Sequence, residues 1–120
     1  MPQTTVVFFA DDRGRAPVMD WLDGVPPKVQ DKCMVKIDRL IECGHELRRP
    51  EADILRDGIY ELRIGFMAMN YRILYFFHQG RCILAHGVRK DDKVPANDID
   101  MAIRRRQEYV SDPERHTYIQ

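Results

Sequence analysis

The sequence predicts an α+β fold in which an antiparallel β-sheet of about four strands is backed by a helical hairpin and followed by a C-terminal helix. This prediction rests on two changes in the spacing of apolar residues along the chain. Apolar residues recur at helical spacing between about residues 18 and 43, alternate between about residues 59 and 90, and return to helical spacing after residue 95. The expected element order is β-α-α-β-β-β-α. Because 120 residues are enough to bury a core, we expect a single domain over residues 1–120.

A short strand and two helices make up the first third of the chain. Thr4 to Ala10 is a β-branched and aromatic run that ends at a turn rich in Asp and Gly. Pro17 suits the first turn of a short amphipathic helix. A second helix is predicted from about Pro27 to Cys43, with Lys and Asp on its polar face and Gly44 as a stop signal. The two helices predict a hairpin that covers one face of a sheet.

Three strands of an antiparallel meander are predicted after a polar connection, HELRRPEAD. Alternation runs over residues 59–65 and 70–78, and Gln79-Gly80 makes a tight turn into RCILAHGV. If Leu62 and Ile73 pack on the hairpin, Arg63 and Arg72 both point to the opposite face. Neighbouring strands lie about 5 Å apart, so two guanidinium groups on one face can address one anion.

The last predicted element is a helix that Pro95 opens, with apolar residues at helical spacing as far as Val110. Three consecutive arginines at positions 104–106 are expected on a solvated face of this helix. The tail beyond about residue 110, SDPERHTYIQ, is expected to be frayed.

Composition and charge exclude several classes of protein. The chain is 44% apolar and 32% charged, without a signal peptide or an apolar run near the roughly 20 residues of a membrane span, so we expect a cytoplasmic protein with no membrane partner. Cys33, Cys43 and Cys82 lie among apolar neighbours without metal-ligand spacing, which favours reduced core thiols. The net charge is zero, but five basic residues stand against Glu61 alone between residues 58 and 90, which concentrates basic charge on the predicted sheet.

Several segments of the chain, in this order and on these elements, resemble one family. They are DGIYELRI, MNYRILYFF and ILAHGVRKDDKVPANDIDMAIRR, in which the most specific parts are Tyr60-Glu61-Leu62-Arg63, Tyr71-Arg72, Gly87 and Arg89-Lys90, followed by Lys93 and Pro95. From about Thr5 to Tyr109 the chain resembles the phage-derived HigB-like toxins of type II toxin–antitoxin modules, within the RelE-like superfamily. The resemblance implies a RelE-like fold.

The resemblance also implies an activity, that of an endoribonuclease. Such an mRNA interferase cleaves messenger RNA, commonly on the ribosome, and so inhibits translation. The implied partners are mRNA, the ribosome and a cognate helix-turn-helix antitoxin. In the implied reaction a ribose 2′-hydroxyl attacks the neighbouring phosphate, and no metal or other cofactor is needed. The reaction needs cations near the phosphate oxygens, a base for the hydroxyl and an acid for the leaving oxygen.

Residue by residue, the resemblance makes Arg72 the phosphate-binding arginine of catalysis, with Arg63 beside it. Arg89 and Lys90 correspond to the basic pair after the last strand, at the rim where a loop leads into the last helix. The residues expected to bind phosphate or RNA are Arg63, Arg72, Arg89 and Lys93. Arginine binds phosphate with two parallel hydrogen bonds and stays charged, so proton transfer falls to another group. The acid–base candidates are His86, Lys90, Lys93, Tyr71 and Tyr109, and among them Lys90 and His86 are preferred.

A second interpretation stays open because toxins of this superfamily are usually basic, whereas this chain is neutral. Asp91 and Asp92 directly follow the Arg89-Lys90 pair and weaken its field. In this interpretation the chain is a catalytically silent relative that serves a prophage as a protein- or nucleic-acid-binding module.

Overall fold

The computed structural model describes residues 3–119, in which five strands form one sheet with helices on both faces. The elements in chain order are β1 (Thr5–Phe8), α1 (Pro17–Gly24), α2 (Pro27–Cys43), a 3-10 turn (Gly44–Glu46), β2 (Ala52–Arg56), β3 (Ile59–Phe66), β4 (Met69–His78), β5 (Arg81–Arg89) and α3 (Ala96–Ser111). The strand order is β1-β5-β4-β3-β2. The α+β class is confirmed, with one strand more than predicted. No helix within residues 3–119 is long and apolar enough to cross a membrane.

The additional strand is β2, which begins in the last two residues of the predicted polar connection and continues to Arg56. β2 pairs with β3 in antiparallel register, with Ala52 opposite Leu62 and Asp53 opposite Glu61. A register shift between Ile54 and Arg56 interrupts this pairing. β2 is a five-residue edge strand with a bulge and two charged residues, so its sequence shows no clear alternation. Its pairing with β3 depends on residues outside the strand, which the strand's own sequence does not indicate.

The first strand makes the sheet mixed instead of wholly antiparallel. β1 pairs in parallel with β5, from Thr5 opposite Arg81 to Phe8 opposite Leu84. The prediction of an antiparallel sheet is therefore correct for β2 to β5 and wrong for β1. A parallel pair needs a long crossover connection, and here the intervening helices and strands provide it.

The α1–α2 hairpin covers one face of the sheet, as predicted. The buried side chains between them come from both helices and from the helix-facing positions of the strands, and they include Val18, Leu22, Val29, Ile37, Leu40, Leu62, Ile64, Tyr71, Ile73, Tyr75 and Leu84. Cys33 and Cys82 are buried in the same core. The alternation of β3 and β4 thus identifies this face correctly.

Helix α3 covers much of the other face of the sheet. Its Ile99, Ala102 and Tyr109 pack against a second set of strand residues, namely Ile59, Leu74, Phe76, Ile83, Ala85 and Val88. The face on which Arg63 and Arg72 were predicted is consequently a second hydrophobic layer over most of its length.

The chain after α3 packs back onto the first strand and does not form the frayed tail that the sequence predicted. The Tyr118 N–H donates to the Phe8 carbonyl at 2.9 Å, and Thr117 forms an antiparallel bridge with Phe9. His116 is buried, stacks on the Phe9 ring and hydrogen-bonds through Nδ1 to the Ala10 carbonyl at 2.7 Å. These contacts join residues more than a hundred positions apart, so the polar composition of the tail alone does not indicate them.

Gly87 of β5 allows helix α1 to approach the sheet closely. A Cβ at this position would overlap the indole of Trp21. Trp21 is also in edge contact with Tyr71 on the neighbouring strand, with ring centroids 6.3 Å apart. The absent side chain at Gly87 therefore makes room for the aromatic residue that joins α1 to β4 and β5.

We predict that Gly87→Ala lowers the free energy of unfolding by about 1–3 kcal/mol, because the added methyl group displaces the Trp21 ring from a close-packed site. Urea denaturation measures the change. Gly24→Ala is the control, since a Cβ at Gly24 meets nothing within 4 Å. Equal stability of the two variants would contradict the close contact.

Candidate functional site

Arg72 lies buried within the sheet, with 7% of its surface exposed. Its Nε atom is 2.6 Å from the Oε1 atom of Glu61, which is buried to the same extent. The two atoms are close but not aligned as a hydrogen bond, so the contact is chiefly the attraction of opposite charges. Nη1 of Arg72 donates to the carbonyls of Lys90 at 3.3 Å and of Asp92 at 2.6 Å. The guanidinium of the predicted phosphate-binding arginine thus already contacts a carboxylate and two carbonyls of the protein itself.

The loop between β5 and α3 is held against the beginning of β4. Besides the two carbonyl contacts of Arg72, the Asn70 side-chain amide donates to the Asp91 carbonyl at 3.0 Å. The Lys90 N–H donates to the Asn70 carbonyl at the same distance. The side chains of Lys90 and Lys93 are exposed on this loop. Both predicted cations therefore stand on a fixed backbone at the rim of the sheet.

Arg63 and Arg89 lie on opposite faces of the sheet. Arg63 is the Cα partner of Arg72, is half-buried, and points to the face opposite the hairpin. Arg89 is the Cα partner of Tyr71, and its guanidinium carbon lies 6.0 Å from the centre of the Tyr71 ring. Because Tyr71 packs under the hairpin, Arg89 lies on the hairpin side of the sheet, whereas Arg63 and Arg72 lie on the other side.

His86 is engaged through both ring nitrogens with helix α3. Nδ1 is 2.9 Å from an Nη1 of Arg105, and Nε2 is 2.7 Å from a carboxylate oxygen of Asp98. Arginine can only donate, so Nδ1 accepts and the Nε2–H donates to Asp98. Burial, together with the charge of Arg105, lowers the pKa of His86 although Asp98 opposes this shift. The neutral imidazole docks α3 onto β5, and no free nitrogen is left for use as a base.

The two tyrosines among the acid–base candidates are both buried. Tyr109 is 1% exposed and packs by its ring edge against Phe76 and His78. Tyr71 lies under Trp21 and Arg89. Of the five candidates, Lys90 and Lys93 are the two with exposed side chains.

A cleft of about 360 Å³ opens where the beginning of β4 and the end of β3 approach helix α2. It is lined by Lys32, Lys36, Pro50, Arg63, Ile64, Gly65, Asn70, Tyr71 and Arg72. Lys32 and Lys36 belong to the predicted polar face of the second helix, and the sequence alone indicated no role for them. Their spacing of four residues, which puts both on one side of a helix, is the signal that could have identified them.

We predict that Glu61→Ala lowers the free energy of unfolding by about 3–5 kcal/mol, because it leaves the buried charge of Arg72 without a partner. Glu42→Ala is the matched control. Glu42 pairs at 3.7 Å with Arg39 on the surface, and exposed pairs contribute little. Urea denaturation of both variants measures the difference, and a Glu61→Ala loss as small as that of the control would refute a stabilising buried pair.

We predict that the free energy of unfolding decreases as the pH falls from about 7.5 to about 5.5. The folded-state pKa of His86 is lowered below the ordinary value of an imidazole, about 6.5, so the unfolded chain takes up the proton first and is favoured in this range. His86→Gln should show a flatter dependence, because it lacks this group. Urea midpoints measured across the range test this, and parallel curves for the two proteins would contradict it.

The comparison with known proteins agrees with this architecture. The family model described as Phage derived protein Gp49-like (DUF891) matches residues 20–107, from the second half of α1 through most of α3. No curated protein matches the chain. Since the matched segment is well over half of the chain, the protein belongs to the phage-derived Gp49-like family, a family of RelE/HigB-like toxins.

Proposed function

We propose that this chain is a HigB-like toxin that cleaves messenger RNA, acts on the ribosome and is neutralised by a helix-turn-helix antitoxin. The observation that supports the proposal is a set of cations at one end of the sheet. It supports this function because the chain belongs to a family of toxins. Arg63 is on β3, and the exposed Lys90 and Lys93 are on the loop after β5, whose backbone is hydrogen-bonded to the beginning of β4.

Arg63 supports the phosphate-binding part of the proposal. It is half-buried, and among residues 3–119 no carboxylate lies within ion-pair distance of it. The neighbouring Arg72 is neutralised by Glu61, so the charge that remains for a ligand at this register position is that of Arg63. A guanidinium held by a strand presents two parallel donors to phosphate oxygens as negative charge develops on them.

Lys90 and Lys93 are assigned the proton transfers. In the proposed reaction the 2′-oxygen of a ribose forms a bond to the adjacent phosphorus, and the bond from phosphorus to the 5′-oxygen breaks. One lysine takes the proton of the 2′-hydroxyl, and the other gives a proton to the 5′-oxygen. The products are a cyclic phosphate and a free 5′-hydroxyl, and the proposed mechanism uses no metal.

A second candidate function is that of a silent relative that binds protein or nucleic acid without cutting it. The specific observation in its favour is the burial of Arg72 beside Glu61, since the family resemblance makes this arginine the phosphate-binding residue. The engagement of both nitrogens of His86 points the same way. Cleavage of mRNA on translating ribosomes separates the two candidates.

We predict that induced expression of the chain arrests growth and cleaves mRNA, and that Arg63→Gln slows cleavage about 10²-fold, the cost of losing one donor to a developing oxyanion. Primer extension on RNA from induced cells, and cleavage rates on purified translating ribosomes, measure these effects.

Arg81→Gln serves as the control for this experiment. This variant also loses one positive charge, but from an exposed position at the start of β5, away from the loop with Lys90 and Lys93. It should cleave at the wild-type rate. Harmless expression of the wild type, with intact mRNA on translating ribosomes, would favour the silent relative.

A further inference from the structure

Two side chains of β4 hold the loop that leads from β5 to α3. The loop contains no regular secondary structure. Nη1 of Arg72 donates to the carbonyl of Lys90 at 3.3 Å and to that of Asp92 at 2.6 Å. Between them, the carbonyl of Asp91 accepts from Nδ2 of Asn70 at 3.0 Å. Three consecutive carbonyls of the loop are therefore bound by side chains of one strand.

These three carbonyls have no backbone donors of their own. Within residues 3–119, no backbone N–H donates to any of them. The Lys90 N–H donates to the Asn70 carbonyl, which continues the pairing of β4 with β5 by one residue. Side chains from Lys90 to Lys93 are exposed, so packing does not fix the loop before Val94, which is buried. The course of the loop in between therefore depends on the two side chains of β4.

Asn70 and Arg72 act on the same loop because they are two positions apart on one strand, so their side chains leave the same face. Tyr71 between them packs under the hairpin, and the two residues consequently face the side of α3. Arginine suits the buried position, since it stays charged there and its Nη1 carries two hydrogens, one for each carbonyl. Glu61 supplies the opposite charge that this burial requires.

We propose that Asn70 and Arg72 are positioning residues, which together form a carbonyl clamp that places Lys90 and Lys93 for proton transfer. The role of the clamp in cleavage rests on the proposed function of these two lysines. Arg72 then acts through the loop and not on the phosphate. A displacement of about 1 Å between reacting groups can slow a reaction by on the order of 10²-fold, so a fixed loop matters for the rate.

Limited digestion with trypsin tests the clamp without RNA, because Lys93 is itself a cleavage site for trypsin in the loop. Asn70→Ala removes one hydrogen bond of the clamp. Glu61→Gln/Arg72→Met removes the other two and replaces the buried ion pair by uncharged side chains, a change that folded proteins often tolerate. Digestion after Lys93 should be about 5-fold faster for each hydrogen bond lost, because the loop opens more often. Urea midpoints establish that each variant remains folded.

Cleavage rates on purified translating ribosomes test the role in the reaction. At saturating ribosome concentration, Asn70→Ala should cleave mRNA about 10-fold more slowly and Glu61→Gln/Arg72→Met about 10²-fold more slowly. The ribosome concentration that gives half the maximal rate should stay at the wild-type value, because the clamp does not bind the substrate.

Combining the changes separates action through the loop from action on the phosphate. Asn70→Ala added to Glu61→Gln/Arg72→Met should cause no further loss, because the loop is already released. Independent effects would multiply to about 10³-fold. Asn97→Ala is the matched control, since it removes an exposed asparagine of α3 near the loop, and it should behave as the wild type in both assays.

The outcomes distinguish the clamp from the proposed activity. Digestion of both clamp variants at the wild-type rate would overturn the clamp, whatever the chain does to RNA. Faster digestion with unchanged cleavage of mRNA, or losses that multiply in the combined variant, would overturn the positioning role while ribonuclease activity stands. If the variants are digested faster but the wild type leaves mRNA uncut, the clamp stands as an anchor of the loop, and its role in cleavage is overturned together with the proposed function.

Discussion

The buried attraction between Glu61 and Arg72 is the interaction on which the basic end of the sheet depends. Each charge alone would be very unfavourable in this low-dielectric site, and together they allow a guanidinium to occupy a strand interior. The remaining donors of Arg72 reach the carbonyls of Lys90 and Asp92, so a pair of side chains on β3 and β4 also determines where the loop after β5 lies. Arg72 thus positions cations but does not present its own charge.

The division of charge between neighbouring positions follows from this pair. Arg63 and Arg72 are Cα partners, yet one is neutralised and buried while the other is half-exposed without a carboxylate in ion-pair distance among residues 3–119. Net charge close to zero for the whole chain therefore hides a local excess of positive charge. A neutral composition is therefore compatible with a locally basic surface.

The strand alternation predicted the faces of the sheet correctly, because alternation is a local property of β3, β4 and β5. It placed Arg63 and Arg72 on the side opposite the hairpin. It could not reveal that Glu61 pairs with Arg72, since that depends on the register between two strands. The contacts of His86 and the position of Lys36 beside the cleft depend on where α3 and α2 dock, and those positions are set by packing over the whole chain. The β2 strand and the docked tail were missed for the same reason.

The parallel pairing of β1 with β5 has a consequence for biosynthesis. β1 leaves the ribosome first but can pair with β5 only after residues 81–84 have been made. Its other edge is paired by residues 117 and 118, which are made later still. Until then the apolar run Val6 to Phe9 lacks its sheet neighbours, and such long-range pairing slows folding. A chain interrupted before β5 would also lack the loop with Lys90 and Lys93. An incomplete product of translation would therefore lack both the partner of β1 and these two lysines.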